Sequence, residues 1–260
     1  MVENQISEIK SQKPHNPHDK FARGTVGNPA YASGFLLNYA PPVVAEFVDL
    51  EYLEATPTHF LSPQLKEVIA DISFLSSLKD ASEMTEVLIF FEHKSHSDKK
   101  LLVQLLLQMA WALYFHLITK GLLPNYQPPI PLMVVLYNGV NKEYGYEIRF
   151  QDLFPNLPER LKPYVVQFKV IFINLNWFSY DNLPGKPETK AIVESMKRTT
   201  DGTFAPNLER ILGYLSPLPS DEHVRDIVAK ITTYCSWVSN MKSEEIQKII
   251  KKNFYRTRRC

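Results

Sequence analysis

The 260-residue chain is 45% apolar and 22% charged with a formal net charge of +1, ordinary values that exclude a low-complexity or collagen-like polymer. Near-neutrality neither favours nor excludes a nucleic-acid partner, because a basic cleft fits on a neutral protein. Two cysteines, Cys235 and Cys260, exclude a disulfide framework and a CxxC zinc pair, and point to a reducing compartment.

The opening segment, MVENQISEIKSQKPHNPHDK, has no apolar stretch of the kind a signal peptide needs. Residues 1–17 are expected to form a disordered arm, with order beginning near His18. Ala30–Tyr39 reads as a short helix ended by Pro41 and Pro42, and Val43–Asp49 as a second helix with Pro42 in its first turn. Pro57–Leu61 is a candidate short strand. Val68–Leu78, rich in Val, Ile, Leu and Phe, reads as one strand, and the polar run Lys79–Glu86 as a hairpin loop. Val87–Lys94 (VLIFFEHK) is the clearest strand: five apolar residues and then charge, as suits a strand buried on both faces that opens onto a site.

Asp98–Thr119 reads as a long helix with Asp98 as N-cap and Leu101, Leu102, Leu105, Leu106, Met109 and Leu113 as its apolar stripe. Pro131–Tyr137 is a further buried strand closed by the turn pair Asn138-Gly139, and Val165–Ile173 another. From Pro187 on the pattern is helical: Glu188–Thr199, Ala205–Leu215, Asp221–Ser239 and Ser243–Asn253. The tail carries six basic residues from Lys248 onward. The most apolar windows, Leu101–Leu107 and Pro131–Tyr137, read as too short to span a bilayer, so no membrane is expected and the cytoplasm follows by elimination. Strands interleaved with a long helix define a mixed α/β core.

The chemistry concentrates on Asp71 in one expected strand and Glu92-His93-Lys94 at the end of the next. Residues two apart in a strand share a face, so Glu92 and Lys94 point the same way and His93 the other. A hairpin would bring Asp71 beside them. Two carboxylates and an ammonium suit metal-assisted phosphodiester hydrolysis: carboxylates hold Mg²⁺ through oxygen, and a lysine orients water or stabilises developing charge. Other patterns carry less. The pair His15/His18 lacks further zinc ligands, Ser95 has no GxSxG elbow, and no GxxxxGK[ST] or GxGxxG cradle occurs. Lys251, Lys252, Arg256, Arg258 and Arg259, interleaved with Phe254 and Tyr255, are candidate nucleic-acid contacts, with a solvated basic tail as the alternative.

Several segments together resemble one family. They are His18–Phe21 (HDKF), Phe35–Tyr39 before the proline pair, Asp49–Glu54 (DLEYLE), Ala70-Asp71-Ile72, Leu88–Ser95 (LIFFEHKS), Gln104-Leu105-Leu106 and Pro131–Gly139 (PLMVVLYNG). In this order and spacing the chain resembles the Rpn family of recombination-promoting nucleases, also called YhgA-like transposases, of the PD-(D/E)XK superfamily. The likeness covers roughly residues 18–175, weakening to about 215. It implies an α/β restriction-endonuclease-like core, a mixed central sheet flanked by helices, with a helical C-terminal region. It further implies a DNA endonuclease using Mg²⁺ or Mn²⁺, in which Asp71 and Glu92 bind the ion and Lys94 is the catalytic lysine.

By the same resemblance Glu46 or Glu54 would complete the site and Gln104 would support it, while Ala70 stands where the superfamily name has proline. The expected division is an arm over 1–17, a nuclease-like domain over 18–185, and a helical region over 186–260 that adds DNA contacts or a surface for a homo-oligomer. The alternative is a DNA-binding or partner-binding protein on a nuclease scaffold that does not cut.

Overall fold

The computed structural model describes residues 13–56, 59–61, 67–69, 71–79, 85–121 and 126–254. The chain divides into two compact units, Tyr39–Asn174 and a second assembled from residues up to Asn38 and from Leu175 on. This differs from the expected cut at residue 185, and the reason is packing. Helix α1 (Pro17–Val26) lies against a late helix, α7 (Glu222–Val238). The rings of Phe21 and Tyr234 stack at 4.1 Å, and His18 Nδ1 meets the Tyr234 hydroxyl at 2.7 Å. Of the arm expected over 1–17, residues 1–12 lie outside the described residues, and Pro17 already opens α1.

The remaining helices of the second unit are α2 (Pro29–Tyr39, whose last residue belongs to the first unit), α5 (Pro187–Thr200), α6 (Phe204–Leu215) and α8 (Ser243–Phe254). These match the expected helices to within a residue or two. Apolar residues on α6 and α7, among them Leu208, Ile211, Leu212, Ile227 and Ile231, are fully buried, as the helical spacing requires.

The first unit is built on a mixed five-stranded sheet flanked by helices, with strand order β1-β4-β5-β6-β7. Its strands are β1 (Glu54–Ala55), β4 (Ile72–Ser77), β5 (Glu86–Lys94), β6 (Ile130–Tyr137) and β7 (Ile171–Asn174). Strands β4 and β5 pair antiparallel, and β5–β6 and β6–β7 pair parallel. A separate hairpin joins β2 (His59–Leu61) to β3 (Glu67–Ile69). Helix α3 (Pro42–Phe47) precedes β1, and α4 (Leu101–Lys120) makes the crossover between parallel β5 and β6. One face of the sheet carries Leu88, Phe90, Met133, Val135 and Tyr137, which pack on Leu101, Leu102, Leu105 and Ala112 of α4.

Three expectations change here. The single strand over Val68–Leu78 is two strands with different partners, β3 on β2 and β4 on β5, and Asp71 sits at the bend just before β4. Of the expected strand Val165–Ile173 only the last three residues join the sheet, in β7, Ile171–Asn174. Upstream, Phe168 and Val170 bond instead to the 148–150 segment, through Phe150 N–H to Phe168 O at 2.9 Å and Val170 N–H to Ile148 O at 3.1 Å. Finally, α4 runs 20 residues and is long and apolar enough by length and composition to cross a bilayer. The expectation that every apolar window is too short therefore does not hold, although one side of α4 is built into the core.

Candidate functional site at the end of the central strand

The register of the β4–β5 hairpin sets the site. Ile72 pairs with Phe91, so the next opposed positions are Asp71 and Glu92. Opposed residues of antiparallel strands project from the same face. Glu92 and Lys94, two apart, share that face, which further down the sheet is the apolar surface covered by α4. The apolar run of β5 thus anchors the strand, and its charged end extends past the core.

Lys94 Nζ lies 3.0 Å from Glu92 Oε1 and 3.3 Å from Asp98 Oδ2. The Glu92 residue is 9% exposed, so its charge needs partners. The second comes from α4: Gln108, itself 7% exposed, donates its Nε2 to Glu92 Oε2 at 3.5 Å, a long bond. Asp71 accepts the His93 backbone N–H on Oδ2 at 3.1 Å, which ties the bend before β4 to the end of β5. Burial pulls the Lys94 ammonium down, but the Glu92 and Asp98 carboxylates outweigh it and leave its pKa above the ordinary lysine value. For Asp98, burial pushes up and is outweighed by the Lys100 N–H and the Lys94 charge, leaving the carboxyl below the ordinary aspartate value.

The turn after β5 is held from both sides. Asp98 Oδ1 accepts the Lys100 N–H at 2.9 Å, and the Asp98 carbonyl accepts from Leu101 N at 3.2 Å. Asp98 thus caps the turn that leads into α4, while Lys100 occupies the position preceding the helix. The Tyr144 hydroxyl donates to the Asp98 carbonyl and accepts its N–H, each at 3.1 Å. On the opposite face His93 Nε2 meets Asn138 Oδ1 at 2.8 Å, and the Asn138 N–H donates to the Lys94 carbonyl at 3.1 Å. Gly139 is required next to this asparagine: a Cβ there would lie 2.2 Å from the Tyr137 hydroxyl oxygen.

The structure sets Asp71 opposite Glu92 and pairs Lys94 with Glu92, but it does not bring in the expected supporting residues. Gln104 is exposed, and Gln108, one turn further along the helix, faces the site. Glu54 pairs with Leu75, four residues along β4 from Asp71, or about 13 Å at the usual rise per residue. Glu46 immediately precedes Phe47, whose carbonyl accepts from Lys79 N beyond the far end of β4. Neither acid lies at the Asp71–Glu92 end. The acid that does reach Lys94 is Asp98, which sequence reading assigned only to capping; its i,i+4 spacing from Lys94 was the available signal. Asn138 was read only as a turn residue. On the tail, Lys251 and Lys252 lie in the last turn of α8, and Lys252 pairs with Glu209. Arg256, Arg258 and Arg259 lie outside the described residues.

The fold and site define a mixed α/β protein with two carboxylates and a lysine gathered where an antiparallel hairpin meets a parallel crossover. The chain belongs to the family described as "Putative transposase, YhgA-like", which it matches over residues 16–225. No curated protein and no solved structure matches it.

Proposed function

We propose that the protein is a divalent-metal-dependent DNA endonuclease on a PD-(D/E)XK-type core, working in recombination or mobile-element biology. The observation that carries this reading is the Glu92–Lys94 pair at the end of β5, with Asp71 opposite it at the bend before β4. Membership of a transposase-like family, a class that processes nucleic acid, supports it independently.

The donor chemistry fits Mg²⁺ or Mn²⁺. Such ions are held by one or two carboxylates, with water and substrate phosphate completing the sphere. Asp71 and Glu92 are two carboxylates, and Glu92 Oε2 keeps spare acceptor capacity because its one amide bond is long. Among the described residues no group of three or more His, Cys, Asp or Glu is placed to hold a metal, so a closed protein cage of the zinc kind does not fit. When bound, the ion would polarise a phosphoryl oxygen and acidify a water.

The chain's own residues do the rest. Asp71 and Glu92 would hold the ion, and the backbone bond from His93 fixes the Asp71 carboxylate in place. Lys94, charged across the working pH range, is held between Glu92 and Asp98 and would supply positive charge to the phosphate as negative charge builds on it. Gln108 would fix the Glu92 rotamer as a positioning residue.

A second reading, a DNA-binding or partner-binding protein that does not cut, draws on one observation: Glu46 and Glu54 lie away from the pair, so neither of the expected third acids joins it. The deciding experiment is cleavage of supercoiled plasmid with Mg²⁺ or Mn²⁺, against EDTA and against Glu92→Ala. Metal-dependent cutting lost in the variant supports the nuclease. Absence of cutting by the parent protein with either ion overturns it in favour of the binding reading.

A further inference from the structure

Helix α4 is apolar almost all the way round, yet only one side of it is buried. Leu101, Leu102, Leu105, Gln108 and Ala112 face the sheet or the site. At 100° per residue, Val103, Leu107, Ala110, Tyr114 and Leu117 lie on the opposite side. All five are exposed, the four large ones between 45% and 52%, and Ile118 beside them is exposed as well. A helix apolar on every side is normally covered on every side.

The outer stripe has a specific period. Its members are spaced four, three, four and three residues apart, the repeat that seats one helix against another in a knobs-into-holes seam. The spacing therefore calls for a helix as the covering element. Half-exposure of the five large apolar side chains leaves on the order of 500 Å² in one band, at the upper end of what a monomer shows. With a polar rim this approaches the roughly 800 Å² per partner of a standard interface.

We infer that the outer face of α4 is a homodimer seam, and that the partner is α4 of a second copy running antiparallel. A two-fold axis makes one patch complementary to itself. Antiparallel packing sets each helix N-terminus beside the partner's C-terminus, where the opposed dipoles attract. Ala110 is the midpoint of the stripe, so in this arrangement it meets its own copy, and its small side chain lets the helices approach there. Val103 then faces Leu117 of the second copy. This puts self-association on α4, whereas sequence reading had looked to the C-terminal helices.

The test reads mass and not cleavage, so it is independent of the nuclease reading. Light scattering on the full chain is expected to give twice the chain mass at micromolar concentration, falling to once the chain mass in Leu107→Glu/Leu117→Glu. Both positions are exposed, so the variant should fold, and an unchanged circular dichroism spectrum checks this. Cysteine placement reads the direction. In a Cys260→Ser background, Ala110→Cys should cross-link to a dimer under oxidised glutathione, and Val103→Cys should not. A parent of single-chain mass up to about 100 μM, a dimer unmoved by the double variant, or cross-linking at 103 and not at 110 each overturns the inference. So does a single-chain protein that binds anionic phospholipid vesicles through this face.

Discussion

Two buried carboxylates in this molecule are treated in opposite ways. Glu194 on α5 is 0% exposed and fully engaged. Its Oε1 takes Arg198 Nε at 2.8 Å and Arg210 Nε at 3.2 Å, and its Oε2 takes the Tyr214 hydroxyl at 2.8 Å. Arg198 in turn lies 4.0 Å over the Tyr180 ring and donates to Thr203 Oγ1 at 3.0 Å. Glu92 has one ammonium and one long amide bond. A carboxylate that serves the fold is saturated, because an unmet buried charge costs several kcal/mol. One that keeps unspent lone pairs beside a cation is equipped to take a ligand.

That contrast is open to attack, most forcefully at Glu194. Glu194→Ala leaves Arg198 largely buried without its counter-charge and is expected to cost about 3–5 kcal/mol, read as a lowered urea midpoint. Cleavage per folded molecule should be unchanged. A stable variant would show that the network is not what holds these helices.

Next in size is Glu92→Ala. We expect plasmid cleavage to fall by roughly 100-fold or more, as when a principal charge-stabilising group is removed, with Tm moved by only a few degrees. Equal losses of activity and stability would erase the distinction between the two carboxylates.

The two glutamines of α4 give a finer comparison. Gln108→Ala should lower cleavage by about tenfold, the usual loss when a partner that orients a ligating side chain is removed, and Gln108→Asn should restore little because its amide is one carbon short. Gln104→Ala should do nothing. The reverse order would move the supporting role back to the exposed residue.

The smallest effect is in pH. Asp98 has a lowered folded pKa, so its contribution is complete above the ordinary aspartate value of about 3.9 and is lost as pH falls through its folded value. Lys94 has a raised one, so its contribution is complete below about 10.4 and is lost only as pH rises through the folded value. The Tm difference between the parent and Asp98→Asn should therefore persist from about pH 5 to 9 and close below about pH 4. A Tm that does not differ between the two proteins at about pH 8 would mean the Lys94–Asp98 pair is not formed.

Some of this was readable in the sequence and some was not, for identifiable reasons. VLIFFEHK announces β5 because five apolar residues followed by charge have few other solutions, and the hairpin partner of Glu92 followed from it. The division of Val68–Leu78 was hidden because only Ala70 and Asp71 separate β3 from β4, with no glycine or proline between them, and the two strands differ in their partners. Composition is local, and pairing is not. Gln104 came from the family resemblance, and Gln108 escaped notice because the buried side of α4 runs through Leu101, Leu105, Gln108 and Ala112, not along the stripe ending in Met109 and Leu113. The shortness of β7 depends on Phe168 and Val170 bonding to a segment some twenty residues earlier, which no window of sequence contains. The compact units do not divide at residue 185 because α1 finds its partner in α7, far along the chain.

That last pairing bears on synthesis. His18 and Tyr234 are separated by 216 positions, and ribosomes add roughly 5–20 residues per second. Helix α1 therefore leaves the ribosome roughly 10–40 s before the tyrosine it stacks against exists. In that interval the whole of Tyr39–Asn174 is made and is free to fold, while Phe21, Ala22 and Val26, all buried in the finished protein, wait uncovered. Helix α1 is thus made early and housed late, and chaperones would be expected to meet the chain at this helix.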